Sequence, residues 1–198
     1  MQIETRYKLT DQDLRTHKGY QWTVGKWVKT SGEGPLCKAG WLHCYNDPLL
    51  AVLHNPVHAN IVDPRLWRVE VRGRELRDGQ VKCGWTEMRL VDELDLPTIS
   101  DLQRTAYGIM CAMEIYHESG WVTWAKGWLD GTDRTSDSAA MAASAAWVAR
   151  ATYAARAACA AASAAWAARV ASAARAAKDA NPNIDLLAIA RKAMEVAS

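Results

Sequence analysis

The densest gathering of residues able to do chemistry is LCKAGWLHCYNDP, where Cys37, His43 and Cys44 fall close together and His54 and His58 follow downstream. Thiolate and imidazole are the usual ligands of zinc, so this set could begin a metal centre. The spacing argues otherwise. His43 and Cys44 are adjacent and no C-x-x-C pair is present. Pro56 lies between His54 and His58, where it is expected to break the i, i+4 relation that would aim both rings at one ion. No metal and no cofactor is expected. The catalytic alternative is Cys37 or Cys44 as a nucleophile activated by His43, without a third group to orient the base. Reduced, mostly buried thiols and one hydrogen-bonded histidine account for the same residues.

A second constellation is electrostatic. From Arg134 to Lys178 the chain carries six basic residues and one acid, Asp137, a local charge of +5. Within it SAAWVAR, residues 144–150, is echoed by SAAWAAR, residues 163–169, so Trp147 with Arg150 and Trp166 with Arg169 lie three apart, where a guanidinium can cover an indole. With Tyr153, Arg156 and Arg175 these residues form a candidate binding surface for an anion or nucleotide. On one continuous helix at about 100° per residue, Arg150, Arg156, Arg169 and Arg175 fall at roughly 0°, 240°, 100° and 340°, so no single basic stripe results. Isolated arginines of this kind ordinarily solubilise outer helix faces. The phosphate-loop, dinucleotide, zincin and nucleophile-elbow motifs are all absent.

The elements that must position these residues change character at Pro97. Before it, glycine, proline and alternating segments predict a small, twisted, antiparallel sheet with one short helix. RLWRVEVRG is the clearest strand, with Trp67, Val69 and Val71 on one face, Arg68, Glu70 and Arg72 on the other, and a turn at Gly73. YQWTVGKWVK and VKCGWTEMRLVDEL read as further strands, with bulges or close backbone approach at Gly25 and Gly84. NDPLLAVLHN, with Asp47 as N-cap and a proline at the first position, reads as the helix.

After Pro97 the pattern is helical. Thr98 or Ser100 caps a helix whose apolar face is Leu102, Ala106, Ile109, Met113 and Tyr116. A second helix brings Trp121, Trp124 and Trp128 onto one core-facing side. Between Ser138 and Lys178, 24 of 41 residues are alanine, the strongest helix former. A single rod of some 45 residues would be roughly 65 to 70 Å long, against about 40 Å for a compact body of this size. Two or three helices folded on one another, with a break near Ala160 to Ser163, are therefore expected, and a protruding, self-associating rod is the alternative. A last helix, IDLLAIARKAMEVA, is expected to dock through Leu187, Ile189 and Ala190. The class is α+β, with a domain over residues 1–97 and a helical domain over residues 98–198.

The runs WTVGKWV, GPLCKAGWLHCYNDPLLAVLHN, LWRVEVRG and MRLVDELDLP, in that order over residues 6–97, resemble a domain of unknown function widespread in phage and prophage proteins. The continuation WAKGWLDGTDRTSDSAA and the alanine-rich tail are similar to the helical region of proteins described as immunity proteins. That resemblance implies a phage or mobile-element accessory protein acting in counter-defence. A more distant likeness links GWLHCY, the short helix and LWRVEVRG to the middle of ADP-ribosyltransferase folds, and it implies an alternative pocket of His43, Tyr45 and Glu70. The ordered catalytic residues of those enzymes are not found here, so the likeness implies a ligand-binding descendant.

Composition sets the remaining bounds. The 198 residues carry a net charge of +2, which gives no global attraction to nucleic acid or anionic membrane. No run of 18 apolar residues and no signal-peptide pattern occurs, so a cytoplasmic protein is expected. The five cysteines, odd in number, suggest no disulfide framework. The leading expectation is a non-enzymatic binding protein whose partner is a host defence complex or a small nucleotide, with self-association through the alanine helices as an additional contact. An ADP-ribosyltransferase-like enzyme is the second reading, and a nucleic-acid binder using the +5 segment is the third.

Overall fold

The computed structural model describes residues 2–79, 81–148, 153–162 and 167–196. It is α+β and falls into two compact units, Met1–Thr98 and Ile99–Ser198. In the first, the strands are β1 (Glu4–Thr10), β2 (Arg15–Thr16), β3 (Tyr20–Gln21), β4 (Val28–Lys29), β5 (Leu42–Tyr45), β6 (Arg65–Asp78) and β7 (Lys82–Leu94), with helix α1 (Pro48–His58) between β5 and β6. β2 and β3 pair only with each other, while the other five form one antiparallel sheet in the order β4-β7-β5-β1-β6. A further pairing of β6 with β7 joins the far strand back to β7, so β7, β5, β1 and β6 make a closed ring of antiparallel pairs. Closure removes most of the exposed edge. The β1–β5 seam is its narrowest join, held in register at Tyr7 and Tyr45.

Alternation decides what the ring encloses. Trp67, Val69 and Val71 of β6 join Leu42, Cys44, Cys83, Trp85, Met88, Leu90 and Trp22 in one buried cluster. The intervening β6 residues instead pair with β7 in a row of salt bridges: Arg68 with Asp92, Glu70 with Arg89 at 2.6 Å, and Arg72 with Glu87 at 2.8 Å. Two of the buried indoles keep their polar handle, since Trp67 Nε1 donates to Thr10 Oγ1 and Trp22 Nε1 to Thr16 Oγ1, both at 3.0 Å.

Two strand expectations need correction. β6 does not end at Gly73 but runs to Asp78, because Gly73 adopts φ +92° in a bulge and the ladder resumes with Glu75 opposite Trp85. A β-carbon there would come within 2.2 Å of Thr86 Oγ1, which accepts the Arg74 N–H at 3.0 Å. YQWTVGKWVK is not one strand either. Gly25 at φ +78° turns the chain and donates its N–H to Leu90 O at 2.8 Å, leaving two short pieces, β3 and β4.

The second unit is helical: α2 (Asp101–Met113), α3 (Ser119–Asp130), α4 (Ser136–Val148), α5 (Tyr153–Ala162), α6 (Ala167–Ala180) and α7 (Leu186–Ala193). Ser100 starts α2 with a capping box, its hydroxyl accepting from Gln103 N at 3.1 Å while the Gln103 side chain accepts from Ser100 N at 3.0 Å. Glu118 caps α3 by accepting from Gly120 N and Trp121 N, and those bonds hold its carboxyl below the usual range. The alanine-rich stretch forms three helices, with α5 packed on both α4 and α6, so the single-rod alternative is overturned. Ala157, Ala158, Ala161, Ala171, Ala174 and Ala177 are buried, as expected where small side chains let helices approach closely. Helix α7 packs on α2 and buries Leu186, Ala190 and Ala193, so Leu186 takes the place expected of Leu187. Among the described residues no helix is long and apolar enough to cross a membrane.

Candidate functional site

A cavity of about 100 Å³ in the first unit collects the titratable side chains of five separate segments. The strand period supplies two of them: Leu42 and Cys44 of β5 enter the core, and His43 and Tyr45 line the cavity. Lys82 comes from the start of β7, where it stands opposite Tyr45 in the ladder. His58 comes from the last turn of α1 and stacks on Tyr45 with ring centroids 5.9 Å apart. The adjoining wall, Ala59 to Ile61, is fixed by Asn55, whose side chain donates to Ile61 O at 2.9 Å and accepts from Ile61 N at 3.1 Å. Thr16 and the exposed His17 come from the β2–β3 turn, which Lys18 makes with φ +60°.

Lys8 of β1 completes the wall, and it is the least usual member. Only 7% of it is exposed. Its Nζ donates to the His43 carbonyl at 2.6 Å and lies 4.8 Å from the Trp22 ring centroid. Burial, with Lys82 adding like charge, lowers its pKa to about 8. His43 is pushed down to about 4 by burial, which outweighs the bond its Nε2–H donates to the Leu36 carbonyl. It is therefore neutral near pH 7, with Nδ1 as the unprotonated nitrogen. Burial also raises the Tyr45 phenol above its usual value, keeping it a neutral hydroxyl.

The chemistry of this wall is one-sided. Two lysines, three histidines, a tyrosine and a threonine face the space, and among the described residues no carboxylate lines it. Such a set can hold an anionic group by charge-assisted hydrogen bonds. A more open cleft of about 570 Å³ elsewhere in the unit has walls of both signs, including Glu4, Lys29, Arg74 and Glu87. Its charges are already engaged, since Glu87 pairs with Arg72 and Lys29 and the Arg74 guanidinium donates to Ser31 O at 2.7 Å. The small cavity is the better candidate.

Of the trio His43, Tyr45 and Glu70, the structure brings the first two together. Glu70 is not among the lining residues and instead pairs with Arg89 and Arg68 on the β6–β7 ladder. The cysteine and histidine cluster disperses: Cys37 is exposed beside Lys82 Nζ at 3.6 Å, Cys44 is in the core and His43 faces the cavity. Pro56 does not break the His54–His58 relation. Helix α1 runs through it, and the two rings stack at 5.3 Å, because the proline sits so near the helix end that few bonds are disturbed. Among the described residues no three metal-ligating side chains converge.

Of the tail residues, Trp147 falls on α4 and Tyr153 and Arg156 on α5, while Arg150 and Trp166 lie outside the described residues. Arg169 and Arg175 are exposed on α6, six residues and so about 240° apart around the helix. Sequence reasoning missed Lys8, His17 and Lys82 as partners of His43 and Tyr45, and it grouped His58 with His43 only as part of a candidate metal centre. The alternation in ETRYKLT marks a strand but gives no sign that its lysine turns inward.

Residues 5–102 match a family described as Domain of unknown function (DUF7666). No curated protein and no solved structure matches the chain.

Proposed function

We propose, taking the unit that carries the DUF7666 match as the functional one, that this is a non-enzymatic binding protein holding the phosphoryl group of a small ligand. The observation that carries this reading is the cavity itself, with Lys8, His17, His58 and Lys82 converging beside the neutral donors Tyr45 and Thr16 and, among the described residues, no opposing carboxylate. A space of about 100 Å³ accepts one phosphoryl or carboxylate group, so the rest of a larger ligand extends outward past His17. Catalysis is the poorer reading of the same residues. His43 is committed through Nε2 to Leu36 O, and among the described residues no carboxylate lines the cavity to serve as a base. The phage resemblance supports a counter-defence role in which a host signalling nucleotide is sequestered.

Calorimetric titration of the full chain with inorganic phosphate, AMP and adenosine tests this. Phosphate and AMP are expected to bind and adenosine not. Lys82→Glu, a half-buried change at the cavity wall, is expected to weaken AMP binding by about 10-fold to 100-fold, the range for loss of one charge-assisted bond. Equal binding of adenosine, or AMP affinity indifferent to Lys82→Glu, would refute the reading.

A further inference from the structure

Directly behind the cavity wall lie two thiols that the anion-binding reading does not use. Cys44 sits between His43 and Tyr45, and Cys83 follows Lys82, so three lining residues are chain neighbours of the two cysteines. Cys44 and Cys83 are directly opposed in the β5–β7 ladder, both are 0% exposed, and their Sγ atoms are 3.4 Å apart. Directly opposed antiparallel residues have Cα atoms about 4.5 to 5.5 Å apart, inside the roughly 4.4 to 6.8 Å that a disulfide spans. Closing the bond draws the sulfur atoms together by about 1.4 Å and pulls on the strands that carry them.

We propose that Cys44 and Cys83 form a reversible disulfide that ties β5 to β7 beneath the cavity and couples a peroxide oxidant to anion binding. The coupling rests on the cavity reading above, whereas the cross-link itself does not. The pair is chemically asymmetric. The hydrogen bond from Cys44, with the Arg6 guanidinium alongside, holds the Cys83 thiol below its usual range, while burial pushes Cys44 above it. Cys83 thiolate attacks one oxygen of hydrogen peroxide, the O–O bond breaks, and Cys83 sulfenic acid forms with loss of hydroxide. Cys44, giving its proton to that hydroxide to form the first water, then attacks the Cys83 sulfur; the S–O bond breaks and hydroxide leaves, becoming the second water with the proton that Cys83 released on ionising. Two thiols are oxidised by two electrons and one peroxide is reduced to two waters. Access comes from opening of β5, a four-residue strand whose seam with β1 is narrow. Cys111, pushed up by burial within α2, and the exposed Cys37 have no such opposed partner in the described structure.

The test treats the folded full chain with hydrogen peroxide, alkylates it in denaturant, and maps the thiols by mass spectrometry, with phosphate titrations on the reduced and oxidised forms. Peptides of Cys44 and Cys83 are expected to be joined with loss of two hydrogens, to separate on reduction, and to stay unjoined in Cys44→Ala and in Cys83→Ala. Phosphate affinity is expected to change by about tenfold, since a shift of roughly 1 Å in two walls spoils a preorganised site. Absence of the joined peptide, when the same treatment oxidises Cys37, overturns the cross-link. A joined peptide with unchanged phosphate affinity overturns the coupling. Reduced protein that binds no phosphate sinks the cavity reading, and the coupling with it, while a joined peptide would still establish the disulfide.

Discussion

Replacing Lys8 by methionine should make the first unit more stable at pH 7 and remove that advantage by about pH 10. A lysine that is 7% exposed and ionises near pH 8 instead of 10.5 holds its proton less well folded than unfolded. Between those values the unfolded chain binds more protons, so wild-type stability rises with pH across this window. The full span, about 2.5 pH units at 1.36 kcal/mol each, is roughly 3 kcal/mol, and nearly all of it is an uncompensated cost at pH 7. Methionine fills a similar length without charge but gives up the bond to His43 O, worth about 1 kcal/mol. The variant should therefore be more stable by about 2 kcal/mol at pH 7 and no more stable at pH 10, where the folded lysine is neutral and the remaining cost, under about 1 kcal/mol, is offset by the lost bond. Urea unfolding at several pH values, with pulsed alkylation of Cys44 and Cys83 reporting the first unit, measures the difference directly. A less stable variant at pH 7, or a difference that does not move with pH, would refute the reasoning. The same variant should lose phosphate binding, the trade expected where a costly group serves a site.

Other consequences follow from the same geometry. His43 has its folded pKa lowered to about 4, so the unfolded state binds more protons between there and 6.5, and stability should fall as pH drops through that interval. His43→Asn should flatten the fall, read by near-ultraviolet circular dichroism. Gly73→Ala forces a side chain into the left-handed region and against Thr86 Oγ1, and should destabilise the first unit by about 1 to 3 kcal/mol in urea titrations. A wild-type midpoint in that variant would show that the bulge relaxes freely.

The fold class was legible because the strand and helix periods are strong here: RLWRVEVRG alternates cleanly, and an uninterrupted alanine stretch leaves little choice but helix. What escaped depends on tertiary closure. Nothing local in LHCY reveals that β5 is gripped by β7 on one side and β1 on the other. Lys8 is the sharper lesson. ETRYKLT alternates charged residues with Thr5, Tyr7 and Leu9, yet Lys8 is more deeply buried than Tyr7. A ring has an inside, and the face that closes inward is chosen by strands distant in sequence. The cavity was half visible for the same reason, since His43 and Tyr45 share a strand but Lys8 and Lys82 reach them only through long-range pairing.

The narrow β1–β5 seam also sets an order of assembly. The β6–β7 hairpin joins neighbours in sequence and forms early, whereas β1 must find β6 some 60 residues away, and a loop of that length costs more entropy to close. β5 then completes the ring, with one register pair on its β1 side. The β1 side of the strand carrying His43, Cys44 and Tyr45, whose β7 side holds four register pairs, is thus the join expected to fray first. Amide hydrogens there should exchange ahead of the hairpin's, and a ligand that clasped His43 and Lys82 would act as a folding clamp as much as a cargo.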